Sequence, residues 1–200
     1  MRRVVVCHGW TANPTKHWFP WLRDQLSEPG VEVLVPGLSS SENPSVNEWV
    51  DVLSDVIGIP DDNSVVVGHS LGCISALIAL DRLRLKEKRW RCGGLILVAG
   101  FSSRLEGIPQ LDEFTGVKID MTRIIASTPL RVVIHSDNDS VVPPEHSRRL
   151  AAELEARVVE VPGAMHFMDR EGVTSLPTVE SHIRRVPGFE RSTPGLPTAN

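Results

Sequence analysis

The chain has 200 residues, 41% hydrophobic and 23% charged, a balance that suits one globular domain with a real core and excludes a disordered or low-complexity chain. Its 25 acidic and 21 basic side chains leave a formal charge of −4, so nothing electrostatic favours a phosphate backbone or an anionic membrane, and neither partner is expected. Cys7, Cys73 and Cys92 form an odd set inside apolar patterns, which reads as buried reduced thiols rather than a disulfide framework or a zinc cluster.

The predicted elements run in order from the first apolar stretch, a strand at 4–7. The opening Met1-Arg2-Arg3-Val4-Val5-Val6-Cys7-His8 has basic residues but too short an apolar run for a signal peptide, and no later stretch approaches membrane-spanning length, so a cytoplasmic address is expected. A helix at 16–27 and a strand at 31–35 follow. Val46, Trp49, Val50, Leu53 and Val56 then recur at helical spacing, with Ser45 available as cap and Asp51 and Asp55 on the opposite face. A strand at 64–67 leads into a helix at 71–85, marked by Leu71, Ile74, Leu77 and Ile78. After a strand at 94–99, about thirty residues leave room for a short helix at 120–126 and a loop but no sizeable lid. A strand at 130–135 precedes a helix at 144–155, whose start Pro143-Pro144 pre-set and whose Leu150, Ala151 and Leu154 face inward. The last strand is 158–161 and the last helix 174–185.

From Pro187 onward proline and glycine dominate without periodicity, so the domain is expected to span 1–186 and a disordered tail 187–200. Near-continuous Val/Ile/Leu strands alternating with helices demand a mostly parallel sheet covered on both faces, which predicts a three-layer α/β fold of about six strands.

Chemistry enters at Gly68-His69-Ser70-Leu71-Gly72. A strand turning sharply into a helix strains the residue at the bend, and small residues two positions to either side give it room. That context makes Ser70 a candidate nucleophile and the Leu71 N–H an oxyanion donor at a helix N-terminus. A serine hydroxyl attacks only if a histidine takes its proton and a carboxylate orients that histidine. The loop after strand 130–135 offers two acids, Asp137 and Asp139. Asp139-x-x-Val142-Pro143 resembles the acid loop common among hydrolases with such an elbow, and that resemblance favours Asp139, leaving Asp137 to cap the turn or stay solvated. Gly163-Ala164-Met165-His166-Phe167 follows the last strand and offers His166 as base. His17, His146 and His182 lie within or beside helix patterns and read as ordinary core or surface residues; His69 and His135 read as structural. The histidines show no metal-ligand spacing, so no metal is expected. The second oxyanion donor is expected from His8-Gly9-Trp10, at the Trp10 N–H. Trp10, Trp18, Phe19 and Trp21 either line an acyl pocket or anchor the core.

With these residues placed, the chain resembles the small serine hydrolases of the YdeN and retinoblastoma-binding-protein type, over residues 2 to 186. The likeness rests on short length, the Gly-His-Ser-x-Gly elbow, the Trp18-Phe19-Pro20-Trp21-Leu22 stretch and the late Gly-x-x-His-Phe motif. It implies an α/β-hydrolase fold, a triad of Ser70, Asp139 and His166, and no cofactor, but it fixes no substrate; a small-molecule acyl substrate is expected from the triad chemistry and from the lack of room for a sizeable lid. It does not extend to a Leu-x-Cys-x-Glu segment, one member's means of contact with retinoblastoma-type pocket proteins, so no such partner is expected. A scaffold that binds protein without turnover is the alternative, and a complete triad in chain order argues against it.

Overall fold

A computed structural model describes residues 1–83, 87 and 89–191. Its centre is a six-stranded sheet, β1 (Arg2–Cys7), β2 (Val31–Leu34), β3 (Ser64–His69), β4 (Gly94–Val98), β5 (Leu130–His135) and β6 (Arg157–Glu160), in the order β2-β1-β3-β4-β5-β6. Every neighbouring pair is parallel. The helices are α1 (Phe19–Gln25), α2 (Val46–Ile57), α3 (Leu71–Arg82), α4 (Asp112–Thr115), α5 (Met121–Ser127), α6 (Pro144–Glu153) and α7 (Pro177–Ile183).

Side chains alternate across each strand, so the sheet builds two cores. Val5, Cys7, Val66, Leu95, Leu97 and Val133 join α2, α3 and α6 in one. Val4, Val6, Val65, Val67, Ile96, Val98, Val132 and Ile134 join Trp18, Phe19 and Leu22 of the α1 region and Val179 and Ile183 of α7 in the other. Because both faces are covered, β3 and β4 are buried throughout, and their stretches 65–67 and 95–98 read as unbroken apolar runs. Eleven of the twelve residues of α3 are buried, which wedges that helix against the sheet.

The chain leaves β1 toward β2 on one side and returns to β3 on the other, so loops diverge at the carboxyl ends of β1 and β3. Such a reversal opens a crevice where open α/β sheets bind ligands. Ser70 and the Gly9-Trp10 turn both stand there.

Several boundaries shift for identifiable reasons. α1 starts at Phe19 rather than 16 because His17 has φ 57°, which no helix accommodates. α7 starts at Pro177, whose missing N–H suits a first turn. Ser45 occupies the N-cap position of α2, but its side chain makes no capping hydrogen bond. The helix expected over 71–85 is seen to Arg82; residues 84 and 85 lie outside the described residues. The loop before β5 also carries the short α4, unforeseen because four residues show no period.

The tail expected from 187 is corrected for its first five residues. Phe189 is fully buried in the second core beside Val186, and its carbonyl accepts from Arg184 Nη1 at 3.2 Å. One aromatic anchor outweighs the proline- and glycine-rich composition around it, because burying a phenyl ring recovers more than ordering a few residues of already restricted backbone costs. Residues 192–200 of the expected tail lie outside the described residues.

Candidate active site

The elbow is tight on both flanks. Ser70 has φ 53° and ψ −123°, a conformation L-residues rarely adopt. Its own N–H is held by the Val98 carbonyl at 2.9 Å. A Cβ on Gly68 would stand 2.7 Å from Cys73 Cα, and one on Gly72 would stand 2.6 Å from the His8 carbonyl oxygen, so only glycine lets the strand, the helix and β1 meet here.

This bend brings three separated side chains together. Ser70 Oγ lies 2.9 Å from His166 Nε2, and His166 Nδ1 lies 2.8 Å from Asp139 Oδ2. Asp139 Oδ1 accepts the N–H groups of Val141 and Val142, each at 2.9 Å, so both carboxylate oxygens are engaged and the acid is buried. A carboxylate beside Nδ1 makes that nitrogen the donor and leaves Nε2 to accept from the serine hydroxyl. Asp137 stands elsewhere: exposed, its Oδ1 accepts the Gly163 N–H at 2.7 Å, and that bond holds its carboxyl below the usual range.

Leu71 is the first residue of α3, so its N–H has no acceptor inside the helix. Opposite it runs the β1 loop, where a Cβ on Gly9 would lie 3.0 Å from Ser70 Cβ. That loop is pinned. The His8 ring donates from Nδ1 to the Gly9 carbonyl at 2.9 Å and accepts the Leu38 N–H at Nε2 at 3.1 Å; Trp10 Nε1 donates to the Glu42 carbonyl at 2.9 Å.

The aromatic cluster divides. Trp10 lines the cavity over Ser70, whereas Trp18 and Phe19 are fully buried core and Trp21 packs against them. The cavity has about 420 Å³ and is walled by Trp10, Leu105, Ile108, Leu111, Val142 and Met168, with exposed Glu106 and Arg170 alongside. The 105–111 wall was invisible in sequence because a loop closing in a single 3₁₀ turn, Pro109–Leu111, carries no periodic signal.

His69 packs against the site from below. Its Nε2 donates to the His166 carbonyl at 2.9 Å, its ring lies 5.1 Å from that of His166, and its buried Nδ1 has no partner among the described residues. Burial holds His69 well below the usual histidine range, with His166 and His17 acting in the same direction. Burial lowers His8 as well, against an opposing bond to Gly9. Unfolded histidines titrate near 6.5, so above that pH neither ring weighs on stability. Below it the unfolded chain binds protons that the folded chain refuses, and stability falls by up to about 1.4 kcal/mol per pH unit for each ring until the folded-state values are passed. The thermal midpoint is therefore expected to drop as pH falls below about 6.5, and less steeply in His69→Gln; a wild-type midpoint flat from about pH 7 to about pH 5 would contradict this.

All three cysteines are free and buried, and burial pushes the Cys7 and Cys92 thiols up to about 12, so none supplies a thiolate near neutral pH. Among the described residues no group of three or more His, Cys, Asp or Glu side chains could hold a metal ion. No helix among them is long and apolar enough to cross a membrane.

A family model described as serine hydrolase matches residues 4–185. The chain belongs to the serine hydrolase family. YdeN of Bacillus subtilis is 39% identical to this serine hydrolase over 178 residues, covering 89% of this chain and 92% of that one. The crystal structure of YdeN superposes with a TM-score of 0.84 at 38% identity, over 90% of this chain and 95% of that chain. Rat serine hydrolase RBBP9 is 23% identical over 170 residues, 84% of this chain and 87% of its own. XC6422 of Xanthomonas campestris, an α/β serine hydrolase without a lid, shares the fold at a TM-score of 0.57 and 18% identity, over 98% of this chain and 84% of that one. The architecture is thus an α/β-hydrolase fold, and among the described residues the short α4 and α5 between β4 and β5 build no large lid.

Proposed function

We propose that this serine hydrolase cleaves small acyl esters through an acyl-enzyme intermediate, with Ser70 as nucleophile, His166 as base and Asp139 as its orienting acid. The observation that carries the reading is the unbroken hydrogen-bonded series from Ser70 Oγ through the imidazole to Asp139. Ser70 Oγ bonds to the substrate carbonyl carbon while its proton passes to His166 Nε2. The carbonyl oxygen becomes an oxyanion facing the Leu71 and Trp10 N–H groups, which the helix start and the pinned β1 loop hold in place. The bond to the leaving oxygen then breaks, and that oxygen takes the proton from Nε2. Water repeats the sequence on the acyl-serine, releasing the acid and restoring Ser70.

Esters come before amides because an alkoxide leaves with less acid assistance than an amine. The apolar cavity wall favours a hydrocarbon acyl group, and its volume lies at the small end of ligand pockets, where about 300–1,000 Å³ is usual. Three protonated, unpaired thiols accord with a reducing compartment, and we place the protein in the cytoplasm.

A fluorophosphonate probe is expected to label the wild-type protein and not Ser70→Ala, and p-nitrophenyl acetate and butyrate are expected to be hydrolysed. Equal labelling of both proteins would remove Ser70 as nucleophile.

A further inference from the structure

The histidine of the proposed triad sits on a loop that is itself neither helix nor strand. Residues 161–168 belong to neither, and His166 lies between Met165 at φ 50° and Phe167 at φ 59°. Two non-glycine residues in the left-handed region would not hold one geometry unless the surroundings imposed it.

The surroundings do so residue by residue. Four successive N–H groups each meet a side-chain oxygen: Gly163 donates to Asp137 Oδ1 at 2.7 Å, Ala164 to Ser136 Oγ at 3.0 Å, Met165 to Asn138 Oδ1 at 2.9 Å and His166 to Glu171 Oε2 at 2.9 Å. Ser136 Oγ in turn donates to Asn138 Oδ1 at 2.7 Å, tying two of the acceptors together. The His166 carbonyl takes the His69 Nε2–H. The next residue after this run of acceptors is Asp139, whose carboxylate receives the imidazole. One segment, 136–139, therefore grips both the backbone and the ring of the base.

We infer that Asp137, with Ser136, Asn138 and Glu171, is a positioning residue that sets the distance between base and nucleophile through backbone hydrogen bonds. The inference rests on the triad reading above. What it asks of Asp137 is an oxygen acceptor aimed at Gly163, not a negative charge. An asparagine keeps that oxygen and an alanine does not. Glu171 has the same requirement, since its Oε2 also accepts the Met168 N–H at 3.1 Å. Slack in the loop would lower the rate of proton transfer more than it would weaken substrate binding, because of the apolar cavity wall only Met168 stands on this loop, while Trp10, Leu105, Ile108, Leu111 and Val142 stand on other segments. A displacement of about 1 Å can cost about a hundredfold in rate.

The test is ester turnover by the full chain, with kcat and KM measured separately for Asp137→Ala, Asp137→Asn, Glu171→Ala and Glu171→Gln. The alanine variants are expected to lose about 10- to 100-fold in kcat with KM within about twofold, and the amide variants to recover kcat to within about threefold of wild type. Because Asp137 is exposed, its alanine variant is expected to fold and melt like wild type, which makes that pair decisive. Wild-type kcat in Asp137→Ala overturns the inference. So does a rise in KM at constant kcat, or an Asp137→Asn variant as impaired as Asp137→Ala. The triad reading fails on a different result, full activity in Ser70→Ala.

Discussion

Replacing Ser70 by alanine is expected to reduce kcat/KM for p-nitrophenyl acetate by at least ~10⁴-fold, about 5.5 kcal/mol of lost transition-state stabilisation. Among the described residues the hydroxyl is the only nucleophilic atom in hydrogen-bond contact with His166 Nε2, and the three cysteines are buried and protonated. His166→Ala should fall by a similar factor, and the double variant should be no worse than either single one, because both remove the same proton transfer. Asp139→Asn should lose about 10³- to 10⁴-fold for a reason readable in its hydrogen bonds. The Val141 and Val142 N–H groups require an oxygen at Oδ1, so the amide nitrogen of an asparagine must face His166. An N–H donor there forces the imidazole proton onto Nε2, where it can no longer accept from Ser70. Steady-state kinetics on the three single variants and the double variant check this. Multiplicative loss in the double variant, or an Asp139→Asn enzyme at wild-type rate, would contradict it.

Much of this architecture was legible because its causes are local. A strand segment buried on both faces must be apolar at successive positions, so β3, β4 and β5 announce themselves by their Val, Ile and Leu runs at 65–67, 95–98 and 132–134. Ser70 is legible because a strained bend demands glycine on both flanks, and the structure shows which backbone atoms make that demand. Asp139 and His166 lie where two strands end, which their loops mark with proline and glycine. Other features rest on contacts that leave no trace in residue type. Any oxygen-bearing side chain could meet the N–H groups of 163–166, so Ser136, Asn138 and Glu171 look like ordinary loop residues. His69 donates to a carbonyl 97 positions away, and Phe189 gives no hint of the core it enters. The start of α1 shifted for a similar reason: the left-handed turn at His17, whose ring packs on His69, is a tertiary effect that helical spacing cannot register.

The largest stability loss is expected at Gly72→Ala, a change that helix propensity alone would favour by nearly 1 kcal/mol. The added Cβ would stand 2.6 Å from both the Cys7 carbonyl carbon and the His8 carbonyl oxygen, with the Cys7 oxygen nearer still. These are backbone atoms at the end of β1, which is paired on both sides, to β2 and to β3. Nor can α3 retreat, since it is buried along nearly its whole length between the sheet and its neighbouring helices. With neither partner free to move, the cost is at least ~3 kcal/mol, the upper range for forced overpacking. In a domain of this size that corresponds to a thermal midpoint lowered by about 6–12 °C. Any molecules that fold must do so with α3 pushed away from β1, which widens the gap between the Leu71 and Trp10 N–H groups, so kcat should fall in the folded fraction as well. Gly37→Ala is the control: a Cβ there meets nothing within 4 Å, and its midpoint should match or slightly exceed wild type. Calorimetry on the two variants decides the matter, and a Gly72→Ala protein melting with the wild type would mean that the strand and the helix approach less closely than the elbow requires.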